Sequence, residues 1–221
     1  MTIRNGHKHL RSEAQPAMVD LKNVLKEKSV VAVDISGWAV GACKGIDSAR
    51  QQNRVPPVPM SRAVGAVMSK LICLLLLPGI YVVLILDGRV FPPKLAEHQR
   101  RRVGRADAAK ELAEARTSGN STRVDKLLKL LAFPRGDFWH DLISSVRALS
   151  ADKGGDRVAI FQSPYEFDAQ AVWLQRHGFV DYLLTEDADL FFLGGDNLLF
   201  KSNVFQGMCQ LVQRSTVLSR R

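Results

Sequence analysis

A chain of 221 residues with 46% hydrophobic content has enough apolar material for one packed core, and 31 Lys and Arg against 22 Asp and Glu leave a net charge of +9. Cys43, Cys73 and Cys209 are odd in number and widely spaced, so neither a disulfide framework nor a zinc knuckle is implied, and the five histidines lack metalloprotease spacing. A basic body of this kind suits a polyanionic partner, and unpaired thiols make a reducing compartment the default.

The first residues hold Arg4, Lys8 and Arg11 but no long apolar core, so no secretory signal is expected, while a mitochondrial presequence stays compatible with them. Residues 17–28 read as a short helix or ordered lead-in to a strand, Val30-Val31-Ala32-Val33, that ends at Asp34. Ser36 to Arg50 then starts a helix, the three prolines between Gln51 and Pro59 mark a loop, and Arg62 to Leu77 is a second helix packed by its apolar residues. The apolar stretch Leu71 to Leu86 is too short for the roughly 20 residues a bilayer crossing needs, and Pro78-Gly79 interrupts it. It reads as helix, turn and a strand ending in Asp87-Gly88, with no membrane partner.

From Arg89 to about Asp152 no strand-like run occurs, and charged residues, alanine and leucine dominate. This predicts a helical insertion. Lys94 to Arg116 has helix-forming composition, Ser118-Gly119-Asn120-Ser121 breaks it, and Val124, Leu127, Leu128 and Leu131 recur at helical spacing. Pro134-Arg135-Gly136 ends that helix, Phe138 to Leu149 forms another, and Asp152 to Asp156 turns into the next strand, Val158 to Phe161. A helix over Glu166 to His177, a strand to Thr185, a short acidic turn and a strand at Leu198-Leu199-Phe200 complete the course. Such alternation predicts an α/β fold: one domain over residues 1–221, with a mostly parallel central sheet flanked by helices and a helical insertion at about 89–152.

Six carboxylates follow these strands in four groups: Asp34; Asp87; Glu166 with Asp168; and Asp187 with Asp189. Taken singly, an acid in such a place is a turn former or helix cap, and Glu166 and Asp168 open a helix whose dipole favours anions. Jointly they mean more, because parallel strands carry their carboxyl ends to one sheet edge, where ligands bind in open α/β sheets. Two carboxylates about 4 Å apart repel by about 4 kcal/mol at an effective dielectric near 20, so the group calls for cations, and oxygen-only donors select Mg²⁺ or Mn²⁺. Directly after Asp87 comes a basic run, Arg89, Lys94, Arg100, Arg101, Arg102 and Arg105, against one acid, Glu97. Lys94 and Arg101 are seven apart, which aligns them on a helix face reaching toward one phosphate; the plain alternative is a solvated face or a nuclear-import run at His98 to Arg105.

Pro164-Tyr165-Glu166-Phe167-Asp168-Ala169-Gln170 followed by Thr185-Glu186-Asp187-Ala188-Asp189-Leu190 resembles the internal motif of the XPG and flap-endonuclease superfamily, closest to the exonuclease-one branch. Val31-Ala32-Val33-Asp34 and Leu86-Asp87-Gly88 resemble its two N-terminal metal-ligand motifs. The resemblance implies a PIN-like 5′-nuclease core with a helical arch and two Mg²⁺ ions, Mn²⁺ substituting, held by Asp34, Asp87, Glu166, Asp168, Asp187 and Asp189. It implies that Lys94 and Arg101 contact the scissile phosphate, with Arg89, Arg100, Arg102 and Arg105 as further nucleic-acid contacts. The implied partner is DNA with 5′ ends, nicks or flaps, and the implied setting is repair or replication in the nucleus, with the mitochondrion as the other compartment. Three departures from the family pattern stand out: Thr2 and Asn5 replace glycines, Val40 replaces a base-stacking ring, and the helix-two-turn-helix region with its seventh aspartate is absent before Arg221. These motivate the alternative expectation of a catalytically impaired scaffold or nucleic-acid-binding protein.

Overall fold

The computed structural model describes residues 17–51, 60–134, 136–152 and 156–219. The chain forms two compact units: the described residues up to Gly37 with Ser69–Arg89 and those from Val146 onward make the first, and the described residues of Trp38–Met68 with Val90–Ser145 the second.

The first unit is built on a seven-stranded sheet of order β1-β7-β6-β5-β2-β3-β4. Its strands are β1 (Met18–Asp20), β2 (Val30–Asp34), β3 (Tyr81–Leu86), β4 (Val158–Gln162), β5 (Tyr182–Leu184), β6 (Leu198–Asn203) and β7 (Met208–Val212). Five of them, β4 to β6 across the sheet, pair in parallel, while β7 and β1 join antiparallel at one edge. The central strands are apolar runs because both their faces are covered: Val31, Ala32, Val33, Ile85 and Leu183 have no exposed surface. From β2 the chain steps outward to β3 and β4, then returns to β5 on the other side of β2 and continues to β6. The carboxyl end of β2 is therefore a point where strand order reverses, the place where such sheets leave a crevice.

The helices are α1 (Leu21–Val24), α2 (Ile35–Gln51), α3 (Met60–Leu75), α4 (Leu95–Thr117), α5 (Ser121–Leu131), α6 (Phe138–Asp152), α7 (Phe167–Arg176), α8 (Asp189–Phe192) and α9 (Arg214–Leu218). In the second unit α4 and α5 form a hairpin sealed by Ala108, Ala115 and Leu127, with Leu112, Val124 and Leu131 against them. Gly119, at φ 68°, makes the turn, and the Asn120 side chain accepts the Arg123 N–H at 3.0 Å to cap α5. Arg123 also places Nε and Nη2 on the two Glu111 oxygens at 2.5 and 2.6 Å, tying the two helices across their exposed side.

The α/β class, the parallel order and the helical character of the insertion agree with the sequence expectations. Leu71 to Leu86 resolves into helix, turn and strand, with Gly79 at φ 69°, and among the described residues no helix is long and apolar enough to cross a membrane. Three expectations need correction. Residues 18–20 form a strand before the short helix, and β7 with α9 follows where no element was expected; a three-residue strand is too short to show alternation, and Met208–Val212 needs its partner β6 to be recognised. The acidic turn includes a short helix, α8, that begins at Asp189. Lys94 and Arg101 do not share one continuous helix, because Pro92 and Pro93 set a 3-10 turn, Pro92–Lys94, that puts Lys94 at the cap of α4. Most of the loop Gln51 to Pro59, Arg135, the turn at 153–155, and Arg4, Lys8, Arg11, Thr2 and Asn5 lie outside the described residues.

Candidate active site

All six acids belong to the sheet unit, and each stands at or just past the carboxyl end of a parallel strand. Asp34 is the last residue of β2 and lies in register with Ile85 of β3. Its Oδ1 accepts the Gly37 N–H at 3.0 Å across the first turn of α2. Burial, then the negative charges of Asp87 and Asp187, push the Asp34 carboxyl up to about 6 from an ordinary value of 3.8, against the pull of the Gly37 and Ser36 backbone. Three strand ends around the reversal point thus converge electrostatically. Their acids come from β2, β3 and β5, adjacent strands in the sheet.

Asp87 is exposed yet held at both oxygens: Ser36 Oγ donates to Oδ2 at 2.7 Å, and the Phe167 N–H donates to Oδ1 at 2.8 Å. The second bond joins the end of β3 to the first residue of α7, so Asp87 sits beside the segment that carries Glu166 and Asp168. Gly88 tightens that junction. Its N–H donates to the Tyr165 carbonyl at 2.5 Å, the Arg89 N–H to the Pro164 carbonyl at 3.1 Å, and a Cβ at position 88 would meet the Ser163 carbonyl oxygen at 1.9 Å. The obstruction is backbone on both sides, so Gly88→Ala is expected to cost about 1–3 kcal/mol through forced separation of the two loops. A thermal melt within about 1 °C of wild type would contradict that close approach.

Glu166 caps α7 in extended conformation without a side-chain cap bond, and Asp168 lies in the first turn; both are partly buried. Thr185, almost fully buried, accepts the Asp187 N–H on Oγ1 at 3.0 Å, and Asp187 Oδ1 accepts the Asp189 N–H at 2.9 Å. These turns direct the exposed Asp187 outward and leave Asp189 only 6% exposed. Ser36, Gly37, Gly88 and Thr185 were not singled out as site residues from sequence, although each is within three residues of a strand-end acid. Lys70 of α3 is a further one: burial lowers its ammonium from the ordinary value while the charge of Glu186 opposes the change.

Among the described residues no three His, Cys, Asp or Glu side chains gather closely enough to hold a metal ion by themselves. The donor set is nonetheless all oxygen and mutually repulsive at Asp34, which fits a hard divalent cation. Mg²⁺ keeps several waters and takes one or two carboxylates, so it does not require a three-carboxylate cage.

The cationic candidates divide between the units. Arg89 follows β3 in the sheet unit, whereas Lys94, Arg100, Arg101, Arg102 and Arg105 belong to the second. Arg102 is exposed, and the Arg105 guanidinium lies over the Phe133 ring at 5.0 Å from its centroid. Arg100 and Arg101 both bond to Glu97.

Residues 157–219 match the family model of the XPG I-region. The chain is 30% identical over 132 residues to Exonuclease 1 of Drosophila melanogaster, covering 60% of this chain and 17% of that protein. It is 35% identical over 115 residues to Flap endonuclease 1 of Haloarcula marismortui, covering 51% of this chain and 32% of that one. The chain therefore spans less than a third of either relative's length. Among solved structures, the catalytic core of Rad2 in complex with DNA substrate aligns with a TM-score of 0.63 at 21% identity, over 96% of this chain and 56% of that one. Human GEN1 in complex with Holliday junction DNA aligns with a TM-score of 0.59 at 16% identity, over 99% and 45%. These likenesses establish a shared nuclease-core fold.

Proposed function

We propose that this chain, a relative of the XPG and flap-endonuclease superfamily near its exonuclease-one branch, is a divalent-metal-dependent nuclease that hydrolyses DNA phosphodiesters at 5′ ends or flaps. The observation that carries the proposal is the convergence of Asp34, Asp87 and Asp187 at the sheet's reversal point, where burial first and then the charges of Asp87 and Asp187 push the Asp34 carboxyl up to about 6. Mg²⁺ or Mn²⁺ bound there would supply Lewis-acid stabilisation of charge at the phosphate and a more acidic water. Asp34, Asp87 and Asp187 would hold such ions, with Glu166, Asp168 and Asp189 acting directly or through water. Ser36 and the Phe167 N–H fix the Asp87 carboxylate, and Thr185 and the Asp189 N–H fix Asp187, so these acids need little reorganisation to bind. Lys94 and Arg101 would contact the scissile phosphate, and Arg89, Arg100, Arg102 and Arg105 the strand beside it. The setting we propose is DNA repair or replication in the nucleus.

The test is incubation of purified protein with an end-labelled duplex carrying a 5′ flap or a recessed 5′ end, with Mn²⁺ or with chelator. Metal-dependent shortening from the 5′ side is expected, and no cleavage in any divalent metal would overturn the enzyme reading. A second reading, motivated by the net charge of +9, is a nucleic-acid-binding scaffold without turnover. It predicts salt-sensitive DNA binding with no response of thermal stability to Mn²⁺.

A further inference from the structure

The carboxyl-terminal end of α7 carries three aromatic rings in a nearly parallel stack. Trp173 lies against His177 with ring centroids 4.2 Å apart and planes 26° from parallel, and against Phe179 at 5.8 Å and 17°. The stack comes from the way the helix stops. Gly178, at φ 74°, takes the left-handed turn; its N–H donates to the Gln175 carbonyl at 3.0 Å and the Phe179 N–H to the Leu174 carbonyl at 2.9 Å, which folds Phe179 back onto the last turn. His177 Nδ1 donates to the Trp173 carbonyl at 2.8 Å, so the imidazole is pinned as well. Closing a helix end needs contact between the rings but not their exposure, yet Trp173 stays 48% exposed and Phe179 59%.

The surroundings limit what can cover these rings. The exposed residues of α7 are Ala169, Trp173 and Arg176, which share one helix face, and exposed His177 follows them. The rings are thus flanked by a methyl group and a guanidinium and are not part of a broad apolar stripe on that helix. Arg176 gives Nη2 to the Leu193 carbonyl at 3.1 Å, which fixes its guanidinium at this end of the helix. A nucleotide has both matching parts, a flat base for the rings and an anionic phosphate for the cation, and the net charge of +9 favours an anionic strand over a neutral apolar surface. The same helix opens at Glu166 and Asp168, and nine residues at about 1.5 Å each put His177 about 14 Å from Asp168, within the one sheet unit.

We infer that Trp173, His177 and Phe179, with Arg176, form a stacking platform for unpaired nucleotides of a DNA strand. A base lies on the rings and a neighbouring phosphate meets Arg176. This rests on the proposal that the acids act on a phosphodiester: a strand engaged at the acid end of α7 would have its unpaired continuation held at the other end, about four nucleotides away at about 3.4 Å each.

The experiment is titration of a labelled oligothymidylate in chelator, followed by fluorescence anisotropy at several salt concentrations. Trp173→Leu and Phe179→Leu keep an apolar side chain at the helix end and remove a ring; each is expected to weaken binding about 5- to 100-fold and to leave the salt slope unchanged, because stacking releases no counterions. Trp173→Phe restores a ring and should recover most of the affinity. Arg176→Ala is expected to flatten the slope of log affinity against log salt by about 0.7, the contribution of one single-strand phosphate. Affinities of both Leu variants within about twofold of wild type would overturn the inference. So would equal losses in Trp173→Phe and Trp173→Leu, since a stacking ring should rescue what a helix-packing defect would not. If the Leu substitutions instead dissolve a dimer seen by light scattering and leave oligothymidylate affinity unchanged, the face joins copies of the chain and the inference falls. A wild type that binds oligothymidylate through the rings but cleaves no flapped duplex in Mn²⁺ removes the nuclease proposal and leaves the platform standing.

Discussion

Asp187→Ala is expected to reduce single-turnover cleavage of a 5′-flapped duplex by at least about 10³-fold, the scale lost when one preorganised electrostatic group is removed at a reacting phosphate. DNA binding in chelator should change little, since an acid near a polyanion adds no attraction. The substitution has a structural cost as well, because Asp187 Oδ1 accepts the Asp189 N–H ahead of α8, and its loss should cost about 1 kcal/mol. Asp187→Asn separates the two effects. Its side-chain oxygen keeps the bond to Asp189 while its lost charge weakens any cation site, so it should melt close to wild type and still lose cleavage. Asn and wild-type proteins cleaving at equal rates would remove Asp187 from the active site.

Asp34→Asn is expected to raise the melting temperature of the metal-free protein at pH 7 and to abolish its response to Mn²⁺. The folded carboxyl titrates near 6, above its ordinary 3.8, so the folded state holds its proton longer than the unfolded chain does. Stability of the metal-free wild type therefore falls as pH rises from about 4 to about 6, and the whole penalty is present above that window. Partial solvent access reduces the contribution to about 1 kcal/mol, or about 2–4 °C for a chain of this size. The Asn variant removes the penalty, and its gap to wild type should close as the pH falls below about 4, where Asp34 gains its proton in both states. Mn²⁺ should reverse the ranking by neutralising the repulsion, raising wild type by up to about 2.7 kcal/mol at a hundredfold excess over its dissociation constant. Melting curves across pH 4 to 8, with and without Mn²⁺, check both halves. A wild type that grows steadily more stable through pH 6 without metal would contradict the electrostatic convergence.

The parts of the fold legible in the sequence were those whose burial is symmetrical. Val30 to Val33 and Val82 to Leu86 are apolar throughout because both sheet faces are covered, and an acid at the end of such a run is conspicuous. β4 was equally legible by its run, yet as the edge strand it leaves Phe161 38% exposed. β1 and β7 were missed because their identity lies in pairing with each other and with β6, over 180 residues apart in the case of β1, and no local period carries that information. In the site, the acids were visible by position, whereas the groups that orient them were not. Ser36 and the Phe167 N–H meet on Asp87 only after β2, β3 and α7 are assembled. Gly88 was visible as a residue after an acid, but its need for the absent side chain depends on a carbonyl 75 residues later, at Ser163.

The central claim, that acids at the carboxyl ends of β2, β3 and β5 form a divalent-cation site, is tested most directly by titrating metal-free protein with Mn²⁺ and following free ion by its electron paramagnetic resonance. Wild type should bind Mn²⁺ saturably at pH 7.5, Mg²⁺ should compete, and the Asp34→Asn, Asp187→Asn double variant should lose that binding while retaining its fold. Undiminished Mn²⁺ binding by the folded double variant, or no saturable binding by wild type, would contradict the account.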